Sequence, residues 1–323
     1  MPLIDMPLAE LEVYPGINPR PDDFDSYWDR AMDEMRGVQP EVLIRPVASP
    51  ARFAECAELW WTGVRGARIF AKLVRPANRP KPGPAVLMFH GYAMASGDWT
   101  TAYGLAAQGF TVAMMDCRGQ GGRSEDLGGS TGTTHSGQIV RGLASPDPQD
   151  LLFRHIFLDT AQLASIVMGL DGVDPERVGA MGASQGGGLT LACAALVPGL
   201  RRAAPTYPFL CDYRRVWDLD LAKDAYGELR TYLRNFDPRH DRVDEMWTRL
   251  GYIDCRHLAP RIRAEVLMFV GLMDPITPPS TQFAAYNAIT SRKEVVVYPD
   301  YGHEPLPGSS DRAFAFMSGM LEG

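Results

Sequence analysis

The sequence predicts an α/β fold in which a doubly wound, mostly parallel sheet lies between layers of helices. From residue 85 onward, short apolar runs of strand length alternate with helical stretches, and that alternation is typical of a parallel sheet. The strand-like runs are apolar on both faces, as expected where helices cover both sides. Antiparallel strand sequence precedes this region, and a helical, aromatic-rich stretch at 207–260 interrupts it. We therefore expect an antiparallel N-terminal entry to the sheet and a helical insertion over its ligand-binding edge.

The composition permits a large hydrophobic core. The chain has 323 residues, of which 46% are hydrophobic and 22% charged, and this size allows one large α/β domain or two smaller ones. The Pro- and Lys-rich segment at 76–84 leads at once into a strand and therefore does not resemble a domain linker. We predict a single domain over 1–323, with an N-terminal arm and helix at 1–37.

Charge and cysteine content argue against several kinds of partner. The net charge of −7 is spread without basic runs, which disfavours nucleic acid as a partner. The first residues lack the basic and apolar regions of a signal peptide, and no later stretch has the length of a membrane span. We therefore expect a cytoplasmic protein with no membrane partner. The five cysteines are scattered without a C-x-x-C pair, which predicts buried free thiols instead of disulfides or a zinc site.

The N-terminal third begins with an arm and continues into a hairpin. Residues 1–20 show little periodicity and predict an extended arm, and capping residues at 21–26 introduce a helix that ends at Gly37. The predicted strands that follow are 42–47, 56–62 and 68–74. A turn with glycine at positions 63 and 66 joins the last two as an antiparallel hairpin.

From residue 85 the predicted elements alternate between strand and helix. The strands are 85–89, 111–115, 177–181, 201–206, 266–270 and 294–298. The helices are 99–108, 154–170, 189–197, 279–289 and 312–320. The insertion adds predicted helices at 213–219, 226–236 and 243–250.

A glycine-flanked serine stands between the strand at 177–181 and the helix at 189–197. Gly182, Ser184 and Gly186 form a G-x-S-x-G pattern. On a strand-turn-helix, this pattern exposes the serine hydroxyl where a base can reach it. The glycines permit the sharp turn because a side chain at either position would collide with the neighbouring strand or helix. We interpret Ser184 as a nucleophile, against the alternative of an ordinary tight turn.

An aspartate and a histidine follow the last two predicted strands. Asp274 comes after 266–270 and His303 after 294–298. The chain order Ser184, Asp274, His303 is that of the α/β-hydrolase fold. In such a triad the imidazole takes the serine proton, and the carboxylate orients the imidazole. The sequence therefore predicts a catalytic triad, with Asp300 as a less favoured replacement for Asp274.

The loop after the strand at 85–89 is the expected place of an oxyanion hole in this fold. We predict the backbone N–H groups of Tyr92 and Gln185 as its donors, because two such donors can stabilise the negative oxygen that forms during attack. His90 lies in the same loop and is expected to hydrogen-bond that loop. No spacing in the sequence matches a metal-binding motif, so we expect neither a metal nor a cofactor.

Three further polar residues lie close to the predicted site. Arg118 and Gln120 follow the strand at 111–115, and Glu304 follows His303. Arg118 could bind a substrate anion or could pair with an acid and hold its loop. We favour the second role, because Arg and Gln in a glycine-rich turn commonly satisfy backbone carbonyls. The remaining histidines follow no core strand and are interpreted as polar surface or insertion residues: His135, His155, His240 and His257.

Three motifs together resemble the signature of the acetyl xylan esterase/cephalosporin C deacetylase family, carbohydrate esterase family 7. They are Arg118-Gly-Gln120, Gly182-Ala-Ser184-Gln185-Gly186 and His303-Glu304. The resemblance implies deacetylation of small acetylated sugars, xylo-oligosaccharides and cephalosporin C, with the triad and oxyanion donors named above. It also implies that Arg118 and Gln120 support the site. A hexamer whose central cavity admits only small substrates is implied as well.

Two positions depart from that family pattern. Asp150-Leu-Leu-Phe153 stands where the family commonly has a tyrosine-rich run, and Thr277 stands where it often has a cysteine. Preference for acetyl over longer acids would need a short, walled acyl pocket. Its predicted walls are Tyr92, Pro208, Phe209 and Ile276.

Other functions stay open from the sequence alone. A peptidase of the prolyl oligopeptidase type has a similar fold core, but no propeller domain is visible and Gln185 stands where those enzymes usually carry tyrosine. A non-catalytic scaffold would have no reason to keep a serine, an aspartate and a histidine together. If the protein is an esterase, nothing in the sequence distinguishes among xylan fragments, other acetyl sugars and an antibiotic ester as its substrate.

Overall fold

The computed structural model describes residues 4–78, 81–127 and 136–322. Within those ranges, nine strands form one sheet in the order β1-β2-β3-β5-β4-β6-β7-β8-β9. The strands are β1 (Leu43–Val47), β2 (Ala54–Thr62), β3 (Arg68–Pro76), β4 (Gly83–Phe89), β5 (Thr111–Met115), β6 (Val173–Ala183), β7 (Arg202–Thr206), β8 (Glu265–Gly271) and β9 (Lys293–Tyr298). β1, β2, β3 and β5 pair antiparallel in that sequence, and the pairs from β5 to β9 are parallel.

Helices of the described residues cover both faces of this sheet and form the insertion. They are α1 (Leu8–Leu11), α2 (Phe24–Gly37), α3 (Tyr103–Ala107), α4 (Leu152–Met168), α5 (Gln185–Leu196), α6 (Tyr213–Asp218), α7 (Gly227–Phe236), α8 (Val243–Gly251), α9 (Cys255–Leu258), α10 (Pro279–Ala288) and α11 (Ser309–Ser318). None of the helices in the ranges described has both the length and the apolar character needed to cross a membrane.

Two hydrophobic cores lie on opposite faces of the sheet. Successive residues of β4 enter different cores: Leu87 packs with α2, α4 and α5, whereas Val86 packs with α3 and α11. Side chains alternate between the two faces of a strand, so a strand that helices cover on both sides must be apolar at nearly every position. The predicted fold class, a doubly wound and mostly parallel sheet with an antiparallel entry, is confirmed.

The boundaries differ from the predicted ones in a few places. β6 begins at Val173, four residues before the predicted 177, because Val173 pairs with Gly83 before a register shift in the ladder. The N-terminal arm contains a short helix, α1, that the prediction treated as extended. The helix predicted at 99–108 begins as a 3-10 turn (Trp99–Ala102) before α3, and the insertion contains α9, which was not predicted.

The N-terminal arm is fastened to the insertion and to α10 by buried carboxylates. The Asp5 carboxylate pairs with Arg215 of α6 at 2.6 Å and accepts from the Ser280 amide of α10 at 2.8 Å. Asp212, just before α6, accepts from the Asn18 amide at 2.7 Å. Because α10 follows the loop that carries Asp274, the arm stabilises a segment next to one of the predicted site residues.

Candidate active site

Ser184 occupies a strained turn between β6 and α5. Its backbone has φ 58° and ψ −120°, a combination that non-glycine residues rarely adopt. The neighbouring glycines lie too close to β4 for any side chain. A Cβ at Gly182 would lie 2.6 Å from the Phe89 carbonyl oxygen, and one at Gly186 would lie 2.1 Å from it. This close approach of strand and helix holds the serine hydroxyl above the carboxyl end of the sheet.

The structure brings the three predicted triad residues together. His303 Nε2 lies 3.0 Å from Ser184 Oγ, and His303 Nδ1 lies 2.8 Å from Asp274 Oδ2. The Asp274 side chain is fully buried, whereas the His303 side chain is 21% exposed. Asp300, the less favoured replacement, is exposed, and Asp274 occupies the position at Nδ1. These distances join an alcohol, an imidazole and a carboxylate in one hydrogen-bonded chain.

The loop between β8 and α10 fixes the Asp274 carboxylate. Oδ1 accepts from the Ile276 amide at 2.9 Å and from the Thr277 amide at 2.8 Å. Oδ2 accepts from the Thr277 hydroxyl at 2.8 Å, besides its contact with His303. Because a carboxylate only accepts, His303 Nδ1 must carry the proton in this contact, which leaves Nε2 able to accept from the Ser184 hydroxyl. The arrangement is therefore suited to removing a proton from Ser184.

Both predicted oxyanion donors lie at the edge of the sheet that carries Ser184. Gln185 is the first residue of α5, and a helix does not use the N–H groups of its first turn. Tyr92 follows the end of β4, which pairs with β6 directly beneath the serine. Gln120 links the two segments, because its Oε1 accepts from the Ala93 amide at 3.0 Å and its Nε2 donates to the Gln185 side chain at 2.8 Å.

The Arg118 guanidinium is buried in an ion pair. Its guanidinium donates to both carboxylate oxygens of Asp159 on α4, at 2.5 and 2.8 Å, and the two side chains are 3% and 1% exposed. Burial raises the pKa of the Asp159 carboxyl, and the positive charge of Arg118 opposes that rise. Since this bidentate pair occupies the guanidinium, the contacts favour the role of holding the loop over that of binding a substrate anion.

His90 hydrogen-bonds its own loop and the loop after β5, and Glu304 hydrogen-bonds its own loop. His90 Nδ1 contacts the Gly91 carbonyl at 2.7 Å, and Nε2 accepts from the Cys117 amide at 2.9 Å. These contacts define the neutral tautomer, and burial lowers the pKa of His90. Glu304 is exposed, and its carboxylate accepts from the Gly302 amide at 3.0 Å. It therefore stabilises the turn that presents His303.

The prediction that the remaining histidines are polar surface or insertion residues is wrong for His155, which is buried in α4. His257 lies in the insertion, as predicted, and is buried there. His155 is 8% exposed and His257 is 4% exposed, because α4 and α9 are packed on nearly all sides. Burial, followed by nearby arginine charge, lowers the pKa of each to about 3. His240 is exposed, as expected, and His135 lies outside the described residues. All five cysteines are buried and free, as predicted.

Two of the predicted acyl-pocket residues contact Ser184 or Asp274 through their backbone amides. The Phe209 amide donates to the Ser184 carbonyl at 3.0 Å, and the Ile276 amide donates to Asp274. Pro208 and Phe209 are buried, whereas Ile276 is partly exposed. The Phe209 ring packs against Tyr92 at a centroid distance of 5.7 Å. Their role as walls of an acyl pocket stays a prediction.

Sequence reasoning missed two residues of the site. Thr277 donates to Asp274, and Glu228 of the insertion accepts from the Tyr92 hydroxyl. In the sequence, Thr277 stands out only as a departure from a family pattern. No local pattern pointed to Glu228, because its partner is 136 positions away in the chain.

Comparisons with known proteins agree on one family. The family model described as acetyl xylan esterase (AXE1) matches residues 1–320. The crystal structure of acetyl xylan esterase 1 from Thermoanaerobacterium sp. JW/SL YS485 is 58% identical, with 98% of this chain and 99% of that chain covered at a TM-score of 0.94. The acetyl xylan esterase from Paenibacillus sp. R4 is 32% identical, with 97% and 99% covered at a TM-score of 0.91.

A curated relative is longer than this chain. The acetyl esterase Axe7A from Xylanibacter ruminicola is 27% identical over 291 residues, which make up 88% of this chain but 63% of that protein. The chain therefore spans less than two thirds of the length of this relative.

Proposed function

The chain belongs to the acetyl xylan esterase family, and from this membership and the site geometry we propose that it is a serine esterase that removes acetyl groups from small acetylated carbohydrates. The observation that carries the proposal is the continuous chain from Ser184 Oγ through His303 to Asp274, with contacts of 3.0 and 2.8 Å. This chain supplies both an activated alcohol and a group that can return its proton.

The first half of the proposed reaction transfers the acetyl group to the enzyme. His303 Nε2 takes the Ser184 proton as Oγ attacks the ester carbonyl, and the carbonyl oxygen becomes negative. The backbone N–H groups of Tyr92 and Gln185 stabilise that oxygen, and loss of one such donor typically costs about 3 kcal/mol of transition-state stabilisation. His303 then protonates the departing sugar oxygen, which leaves acetyl-Ser184 and a free alcohol.

The second half repeats these steps with water. His303 takes a proton from the attacking water, the same two N–H groups stabilise the second tetrahedral intermediate, and the proton returns to Ser184 Oγ as acetate leaves. Throughout, Asp274 keeps the imidazole oriented and stabilises its protonated form. No step requires a metal or an organic cofactor.

The proposed substrates are acetylated mono- and oligosaccharides of the xylan type. This choice is supported by relatives that are named acetyl xylan esterases or acetyl esterase. A short acyl pocket formed by Pro208, Phe209 and Ile276 would favour acetyl over longer acids. Cephalosporin C, which carries an acetyl ester, is part of the proposed range. A homo-hexamer and a cytoplasmic location remain proposals from the family resemblance and the sequence.

The test compares ester chain length, substrate class and the nucleophile. We expect 4-nitrophenyl acetate to be hydrolysed far faster than the butyrate or octanoate, and acetate to be released from acetylated xylose but no peptide amide to be cleaved. A serine-directed phosphonate should label the wild type but not Ser184→Ala. Labelling at another residue, or full activity of Ser184→Ala, would refute the proposed chemistry. Equal rates on acetyl and octanoyl esters would refute the short acyl pocket alone.

A further inference from the structure

We infer that Glu228, on the insertion helix α7, is a positioning residue that aims an oxyanion donor by holding the Tyr92 hydroxyl. This inference rests on the proposed function, because it assigns a partner to the backbone N–H of Tyr92. The contact joins two segments 136 positions apart. It connects the insertion directly to the loop after β4, where that donor lies.

The Glu228 carboxylate is buried and occupied on both oxygens. Glu228 is 8% exposed. Oε1 accepts from the Tyr92 hydroxyl, while Oε2 accepts from the Ile139 amide at 2.7 Å and the Val140 amide at 3.1 Å. The Gln138 amide donates in turn to the Tyr92 hydroxyl at 3.1 Å. A buried acid with this many donors is held in one position, and so is the hydroxyl that it binds.

The Tyr92 side chain is fixed at its hydroxyl and at its ring. Its hydroxyl is held by Glu228, and its ring packs edge-on against Phe209. The Phe209 amide in turn donates to the carbonyl of Ser184. The Tyr92 ring therefore contacts the segment that supports the proposed nucleophile. Because the hydroxyl and the ring are both fixed, the Tyr92 backbone has little freedom to rotate its N–H away from the reacting oxygen.

The next residue is fixed from the other side. The Ala93 amide donates to Gln120, which also bonds the Gln185 side chain. Gln120 therefore sets the spacing between the loops of the two donors, whereas Glu228 sets the orientation of the Tyr92 loop. A displacement of less than 1 Å at such a donor is enough to weaken its bond to the oxyanion, because hydrogen bonds depend steeply on distance and angle.

A positioning role and a purely structural role predict different kinetics. An oxyanion donor acts on the tetrahedral intermediates of both acylation and deacylation, and it makes little contact with the ground state. Displacing it should therefore lower kcat and leave KM nearly unchanged. A clamp that only holds the insertion in place would lower the melting temperature but leave the kcat of the folded enzyme unchanged.

The experiment uses Tyr92→Phe, Glu228→Gln and the double variant in the full chain. Tyr92→Phe removes one hydroxyl and keeps the ring against Phe209, and Glu228→Gln keeps the shape of the side chain. Active sites are titrated with the serine-directed phosphonate, so that kcat refers to folded enzyme. Glu245→Gln, the same change at an exposed position of α8, is the control and should match the wild type.

We expect each single variant to lower kcat for 4-nitrophenyl acetate about 10- to 100-fold, with KM within about threefold, as for partial loss of one donor. The kcat of the double variant should be no more than about threefold below that of the less active single variant, because both changes act on the same contact. Unchanged kcat in Tyr92→Phe, or losses that multiply in the double variant, would overturn the inference. Failure of the proposed function is distinguishable, because the wild type would then release no acetate.

Discussion

Thr277 is the residue whose side chain most directly tunes the predicted triad. Its hydroxyl donates to Asp274 Oδ2 at 2.8 Å and lies 3.3 Å from His303 Nδ1. It therefore shares with the imidazole one carboxylate oxygen, and each donor reduces the electron density available to the other. The sequence distinguishes this position only by a threonine where the family often has a cysteine.

Replacing Thr277 by valine should change the pH dependence of the reaction. Without the hydroxyl, Oδ2 keeps the imidazole and the more distant Gln282 side-chain amide, at 3.5 Å, and it stabilises the protonated imidazole more strongly. The midpoint of the acidic limb of kcat/KM should therefore move to higher pH, and kcat at the optimum should fall because the carboxylate loses one of its fixed donors. Rates on 4-nitrophenyl acetate from pH 5 to 9 measure both effects.

Thr277→Ser is the matched control for this prediction. Serine keeps the hydroxyl and removes only a methyl group, so its pH profile should coincide with that of the wild type. If valine and serine gave the same profile, the hydroxyl would have no part in orienting Asp274.

At the scale of single elements, the packing of α5 against β4 decides the position of Ser184, the proposed nucleophile. The strained backbone of Ser184 persists because the surrounding strand and helix determine it. Gly186 lies at the tightest point, where an added Cβ would come within 2.1 Å of the Phe89 carbonyl oxygen. Any side chain there must separate the first turn of α5 from the end of β4.

We expect Gly186→Ala to lower both stability and activity. Overpacking at such a contact typically costs about 1–3 kcal/mol, and the displaced helix turn carries Gln185, a proposed oxyanion donor. The urea midpoint should therefore fall, and kcat of the remaining folded enzyme should fall with it. Equilibrium unfolding in urea and active-site-titrated kinetics provide the two measurements.

Gly104→Ala provides a control in another helix. A Cβ at Gly104 in α3 would meet only the Phe314 ring, at 3.9 Å, and alanine is the better helix former by about 1 kcal/mol. This variant should be as stable as the wild type or more stable, with unchanged kcat. Equal behaviour of the two alanine variants would show that the Gly186 contact relaxes without moving the helix.

At the scale of the whole molecule, buried carboxylates join the N-terminal arm to the insertion, at the start of α6 and at α9. The Asp254 side chain caps the N-terminus of α9, where it accepts from the Arg256 amide at 2.9 Å. It also accepts from the Asp212 amide at 3.0 Å. Asp212 in turn holds the arm. Burial, and next the negative charge of Asp212, raise the pKa of Asp254 to about 7.

This raised pKa predicts a pH-dependent loss of stability. The unfolded chain releases the Asp254 proton near pH 4, whereas the folded protein keeps it up to about pH 7. Between these limits the folded state binds more protons, so the free energy of unfolding falls as pH rises, by at most about 1.4 kcal/mol per pH unit for this group. Asp254→Asn removes the titration and should flatten the decline between pH 5 and 7.

Urea unfolding at pH 5, 6, 7 and 8 measures this slope for the wild type and the variant. Asp22→Asn changes an exposed aspartate and should leave the wild-type slope intact. Parallel slopes for the wild type and Asp254→Asn would contradict the assignment.

The prediction that residues 1–323 form a single domain stays a prediction, although one sheet runs through the described residues.

The sequence by itself determined the alternation of strands and helices, the Gly-x-Ser-x-Gly turn, and the order of Ser184, Asp274 and His303. Each of these features depends on neighbouring residues, because the spacing of apolar residues or a glycine at a tight turn constrains the backbone locally. Parallel strands then bring their carboxyl ends to one edge, so residues that follow different strands meet there.

Only the tertiary structure decided which distant side chains support that site. Asp159 pairs with Arg118 from 41 positions away, and Glu228 holds Tyr92 from 136 positions away. Neither contact leaves a local pattern, because each depends on how α4 and α7 pack against loops from other parts of the chain. Burial of His155 and His257 was missed for the same reason: exposure depends on which elements pack around a residue, and that is settled only when the chain has folded.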